Sequence, residues 1–242
     1  MTWVLANVEQ ILQLSLAHIR LSILPIVLGF VIALPLGWVA HRYQLTRGLI
    51  LTLVGLLYTI PSLALFVILP PLLGLPFLSD ANVLIALTIY AVAIMARSTA
   101  DALASVDRDI QQAATAMGYS SWRRFWAVDF PLAGPVLLAG LRVVAVSTVS
   151  LLTIGIIVGV DGLGYLFTNG YQRGIVESVL AGVVATVLIA LLFDRILALV
   201  GSWLMPWTRV GRPSRGERRA ANAQQVESAP VAFGRGVQAG RP

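Results

Sequence analysis

Residues 21–40 carry no charged side chain, and residues 48–79 extend that condition to 32 positions. Hydrocarbon offers no hydrogen bonds to a backbone, so a run of this kind is satisfied as a helix whose amides pair internally. About 20 apolar residues in helix cross a core of about 30 Å. The longer run exceeds one crossing, and Pro70, Pro71, Gly74 and Pro76 interrupt its end. Three further apolar stretches follow, and the sequence predicts five spans, at about 21–40, 48–70, 81–97, 136–160 and 178–200. The chain is 58% hydrophobic and 12% charged, against about 25% charge in a soluble domain. An all-α integral membrane protein is the expectation.

The basic residues set an orientation. His41, Arg42 and Arg47 follow the first span; Arg97, Arg108, Arg123 and Arg124 follow the third; Arg209, Arg212, Arg215, Arg218 and Arg219 follow the fifth. The other two connections carry Asp80, and Asp161, Arg173 and Glu177. By the positive-inside bias, the N-terminus is expected outside and the C-terminus in the cytoplasm. Residues 1–18 have apolar positions spaced for an amphipathic helix lying along the outer interface. Residues 206–242, rich in Arg, Gly, Ala and Pro, read as a disordered cytoplasmic tail. Its charge fits either a topogenic role or contact with lipid headgroups. Trp3, Trp38 and Trp203 fit interface anchors.

Several chemistries find no residues to carry them. All 17 basic residues are Arg, so the chain has no Lys for a phosphate-binding loop. It has no Cys. His18 and His41 flank the first span, and with only two His no metal site, cofactor or catalytic cluster is expected. The first four spans hold no acidic residue, whereas proton-coupled carriers usually need one. Asp194 and Arg195 are expected near the cytoplasmic end of the fifth, snorkelling or paired with each other.

The segment 107–131 holds most of the charge between spans. Asp107 can cap a helix, and Ile110, Ala113, Ala114 and Met117 fall on one face of it. Gly118 suits a left-handed helix end. Ser120 can cap a second helix carrying Trp122, Phe125 and Trp126, with Phe130-Pro131 as its expected end. Two short helices at an angle result, with an apolar face that needs a partner.

This segment resembles the cytoplasmic signature E-A-A-x3-G-x9-I-x-L-P of ABC importer permeases. Gln112-Ala113-Ala114, Gly118, Val128 and Phe130-Pro131 keep every spacing, with Gln, Val and Phe replacing Glu, Ile and Leu. The resemblance implies a type I importer permease fold over about residues 19–205, in a multi-pass protein of the bacterial plasma membrane. It implies docking on an ABC ATPase dimer through Gln112, Ala113, Ala114, Met117, Gly118, Trp122, Val128 and Pro131. It also implies a second permease copy or paralogue and an external substrate-binding protein. Nucleic acid is not an expected partner. Gln112 removes a charge from the family pattern, which leaves docking by shape and apolar contact.

Two further stretches narrow the resemblance. Tyr58-Thr59-Ile60-Pro61-Ser62-Leu63-Ala64-Leu65 is similar to the T-I-P-S-L-A-L stretch of glycine betaine and choline permeases. Gly159-Val160-Asp161-Gly162-Leu163-Gly164 resembles the G-x-G-G-L-G turn of that group. Methionine-type importers share the turn and the Gly118 segment, so an amino-acid cargo is the alternative. Tyr58, Pro61 and Tyr90 are the expected substrate path, since aromatic faces hold quaternary ammonium groups. Ordinary aromatic packing is the other reading of both tyrosines.

Overall fold

A computed structural model of the chain describes residues 2–209. No Gly or Pro stands between Val8 and Leu24 to stop a helix, and none does stop: after α1 (Thr2–Ala6), α2 runs unbroken from Val8 to Arg42. The expected separate interfacial helix over 1–18 is therefore corrected, because residues 8–18 form the first turns of the spanning helix. At 1.5 Å per residue α2 is about 52 Å long and overreaches a core of about 30 Å. His18 is fully buried rather than interfacial. Its Nε2–H donates to the Val149 carbonyl at 2.9 Å, and the Leu163 N–H donates to Nδ1 at 3.3 Å. These two bonds fix α2 against elements more than 130 residues away in the chain.

The expected straight span over 48–70 is two helices, α3 (Gln44–Thr59) and α4 (Ser62–Leu73), bent by 103°. Pro61 has no N–H and forces the residue before it out of helical geometry. Ile60 is accordingly extended, at φ −66° and ψ 127°. Pro70 lies inside α4 and cannot donate to the Phe66 carbonyl. Asn82 repairs that gap, donating its Nδ2–H to Phe66 O at 2.8 Å. Gly74, at φ +68°, ends α4.

Helix α5 (Asp80–Ala104) is capped by Ser79, whose Oγ accepts from the Asn82 N–H. It passes two turns beyond Arg97, because a charge does not end a helix as Gly or Pro does; Asp101 lies 4.0 Å from both Arg97 and Arg47. α5 is the most enclosed spanning helix, and α2 lies along it through small residues. A Cβ on Gly29 would collide with Ala91, and one on Gly37 with Thr99, while Ala33 and Ala40 are fully buried. This three- to four-residue spacing of small side chains lets the two backbones approach closely.

Next come α6 (Arg108–Ala116), α7 (Ser121–Arg124), a π-helical turn over Phe125–Asp129, and α8 (Phe130–Leu152), which ends in a 3-10 turn over Thr153–Val158. Phe130-Pro131 does not end the second short helix. The Phe130 N–H bonds back to Phe125 O, and the helix continues into the membrane without a break from Ser121 to Val158. Pro131 lies inside this continuous helix, just after the π-helical turn, a local irregularity of the kind that accompanies proline within a helix. α9 (Gly164–Arg173) and α10 (Val176–Leu204) complete the fold. The turn before α9 is tight, as expected: Gly159 has φ +76°, and a Cβ on Gly164 would meet the Thr153 carbonyl.

Among the described residues, four helical runs are long and apolar enough to cross a bilayer, or five with the bent α3–α4 pair taken as one span. α10 is the least enclosed of them. Pro206–Arg209 forms a short 3-10 turn belonging to a second unit that starts at Pro206. The rest of the expected 206–242 tail lies outside the described residues.

Candidate functional site

Two regions carry the residues that the sequence singles out. The first is the 107–131 segment. Asp107 Oδ1 accepts from the Asp109 N–H at 2.8 Å, and Ser120 Oγ accepts from the Arg123 N–H at 3.4 Å, so both caps form as expected. Gly118 takes φ +85° between the two short helices. The Gly118 N–H bonds Thr115 O, and the Tyr119 N–H bonds Ala114 O.

The apolar face of α6 is divided. Ala114 is turned inward and 2% exposed, because the chain folds back over it after Gly118. It is not available to a docking partner, which corrects its expected place on that surface. Ile110, Gln112, Ala113, Met117 and Trp122 are exposed, and Val128 and Pro131 are half-buried. Trp38 is not a simple interface anchor. Its ring stands 6.2 Å from Trp122 and 5.9 Å from Phe125, both edge-on. Phe125 and Trp126 continue the cluster at 5.0 Å and Trp126 reaches Phe130 at 5.4 Å. Such edge-to-face contacts add to the apolar burial, and here they bind the short helices to α2.

Sequence reasoning read Arg124 only as part of the cytoplasmic charge and missed its bracing role. It donates to Thr115 Oγ1 at 3.1 Å and to Asp129 Oδ2 at 3.2 Å, bracing α6 against the π-helical turn. Arg124 and Asp129 are five apart, a spacing that an α-helix does not bring together but a π-helical turn favours. Arg108 and Arg124 flank Gln112 across an open groove of about 380 Å³.

The second region is the α3–α4 break. Tyr58, Pro61 and Tyr90 meet there at the wall of one cavity of about 570 Å³. The Tyr58 and Tyr90 ring centroids are 6.1 Å apart at 81°. Tyr90 is buried and donates its hydroxyl to the Ile60 carbonyl, whose helical partner the break removes. Ser147 and Ser150 come to the same cavity from α8. Nothing in their local sequence pointed there; they read as ordinary positions of an uncharged span.

A third pairing also departs from expectation. α10 extends ten residues past Asp194, which therefore lies within the helix and not at its end. Asp194 pairs with Arg142 of α8 and not with Arg195. The guanidinium is bidentate, at 2.6 and 2.8 Å. These charge-assisted hydrogen bonds join two spanning helices directly. Among the described residues no cluster of three or more His, Cys, Asp or Glu could hold a metal.

The described fold is polytopic and helical, with a continuous rod from Ser121 to Val158 that begins in the short helix pair. The chain belongs to the family described as binding-protein-dependent transport system inner membrane component, whose model matches residues 25–206. It is 29% identical over 209 residues to a glycine betaine/carnitine/choline transport system permease protein, OpuCB, of Bacillus subtilis (strain 168), covering 85% of this chain and 94% of the relative. It is 31% identical over 198 residues to the osmoprotectant import permease protein OsmW of Salmonella typhimurium, covering 81% and 92%. A chain of the MetNI methionine ABC transporter, inward facing, matches with a TM-score of 0.67 and 23% identity, covering 81% of this chain and 98% of that one. That likeness establishes the type I ABC importer permease fold. The chain is a non-catalytic permease subunit, and ATP hydrolysis and solute capture belong to partner proteins.

Proposed function

We propose that this permease carries quaternary-ammonium osmoprotectants such as glycine betaine or choline. It acts in the bacterial plasma membrane with its N-terminus outside and its C-terminus in the cytoplasm. The observation that carries the cargo reading is the convergence of Tyr58, Pro61 and Tyr90 on one cavity at a broken span. Broken helices and aromatic faces are what a membrane path for a cation uses. The osmoprotectant relatives support the same reading. The methionine alternative rests on the shared Gly159–Gly164 turn and Gly118 segment, and the structural likeness at 23% identity speaks to fold and not to cargo.

In this reading the 107–131 segment docks on an ABC ATPase dimer, one segment to each ATPase, and two permease copies or paralogues form the pore. Ile110, Ala113, Met117 and Trp122 supply the apolar contact. Arg108 beside Gln112 favours an acidic group on the ATPase, while Arg124 stays paired with Asp129. Closure of the ATPase then moves the rod from Ser121 to Val158 and reaches the cavity at Ser147 and Ser150.

The test is uptake into vesicles by the reconstituted complex, with labelled glycine betaine, choline, carnitine and methionine in competition. Saturable, binding-protein-dependent uptake of a quaternary amine is expected. Methionine uptake with every quaternary amine ignored would overturn the cargo and leave the class standing.

A further inference from the structure

The cavity at the α3–α4 break is also lined by serine hydroxyls that the tyrosines do not explain. Serine and threonine in these helices mostly turn their hydroxyls back onto their own helix. Ser15, Ser22, Thr88, Thr99 and Thr186 each donate to the carbonyl four residues earlier. Thr59, at the cavity, donates to Leu56 O. Among the described residues, the hydroxyls of Ser62, Ser147 and Ser150 make no such bond, and all three line the cavity. No lining residue carries a formal charge. The Tyr90 hydroxyl is committed to Ile60 O, while the Tyr58 ring is 53% exposed.

We propose that this cavity is a transit site for a zwitterion, taking its ammonium group against the Tyr58 ring and its carboxylate on the Ser62, Ser147 and Ser150 hydroxyls. The proposal rests on the reading that this cavity lies on the transport path. A carboxylate accepts hydrogen bonds only, and each serine supplies one O–H donor. Hydrogen bonds to an ionised acceptor are the stronger kind. Fixed charge in the lining would favour one half of a zwitterion and hold it, whereas a passage must bind weakly enough to release. A net-neutral solute with separated charges suits an uncharged cavity lined by both an aromatic face and free hydroxyls. A volume of about 570 Å³ admits a solute of glycine betaine's size. Choline has an ammonium and a hydroxyl but no carboxylate, so the serines distinguish the two.

The test uses the full reconstituted complex with saturating liganded binding protein, and labelled glycine betaine and choline as probes. The variants are Ser62→Ala, Ser147→Ala and Ser150→Ala combined, and the corresponding three changes to Thr, which keep the hydroxyl. The ratio of betaine to choline uptake is expected to fall at least about tenfold in the Ala variant, since each bond to a charged group is worth roughly a tenfold or more. It is expected to recover in the Thr variant, with the change in maximal rate and not in half-saturation by the binding protein. Equal loss of both probes, or no loss of either, overturns the proposal and leaves the transport reading intact. Wild-type uptake of choline without betaine also overturns it. If the wild type moves betaine alone, loss in the Ala variant with recovery in the Thr variant supports it, and absence of either overturns it. Wild-type uptake of neither probe overturns the cargo reading and the proposal together.

Discussion

Gly118 offers a measurement of how much the angle between the two short helices matters. It sits at φ +85°, and no atom lies within 4 Å of where a Cβ would stand. A substitution there meets no neighbour, so its effect comes from the backbone alone. A left-handed conformation costs an L-residue about 1–2 kcal/mol, which is roughly five- to thirtyfold in a local equilibrium. Against a global stability of about 5–15 kcal/mol the fold survives. Locally, α6 is held by Arg124, the turn bonds and inward-turned Ala114, so a shift of that size displaces the segment. Uptake and ATPase co-purification should fall in the order Gly, Asn, Ala, Val, since Asn tolerates this region and a β-branched residue does not. Gly74 and Gly174 are built-in controls, with φ +68° and +67° and equally empty surroundings. Gly74→Ala and Gly174→Ala incur the same backbone cost elsewhere and should stay close to wild type in coupling. All variants should reach the membrane at near-normal levels on immunoblots. Normal transport by Gly118→Val, or equal loss in the two control variants, would refute the assignment of the coupling angle to Gly118.

Three further outcomes are expected. Asn82→Leu leaves the Phe66 carbonyl without a donor and should lower stability by about 1–3 kcal/mol; thermal unfolding in detergent checks this, and an unchanged midpoint contradicts the repair role. Gly37→Val puts a Cβ 2.9 Å from the Ala96 carbonyl and should cost at least about 1–3 kcal/mol, while Gly48→Val, with nothing nearby, should give a markedly smaller loss in the same melt. Arg142→Leu and Asp194→Leu should each reduce folded yield by stranding a charge between spans. The double variant should regain much of it, and a double variant as poor as the singles would argue against a mutual pair.

The legible parts of this chain are those governed by neighbours a few residues away. The caps at Asp107 and Ser120 and the left-handed Gly118 follow from local hydrogen bonding, and each took its expected form. Tyr58, Pro61 and Tyr90 were legible as candidates through their types and the proline between them. Their meeting was less legible, because it depends on a bend of 103° that a hydropathy pattern does not register. The inward turn of Ala114 was hidden for a related reason. Helical spacing assigns it to an apolar face but does not say which part of that face the returning chain covers.

The sequence by itself determined that this is a helical membrane protein, since uncharged runs of this length have no other way to satisfy their backbones. It also determined the paired short helices, whose caps and turn are written within a few residues. Only the tertiary structure decided that residues 8–42 are one helix, that Asp194 answers Arg142 across two spans, and that His18 bonds both Val149 and Leu163. It alone brought Ser147 and Ser150 to the tyrosines. The physical reason is that a span apolar on all sides carries little information about its own rotation. Which of its residues faces lipid, a neighbouring helix or a cavity is fixed by close packing of small residues such as Gly29 and Gly37, and by polar groups that find a partner nowhere else.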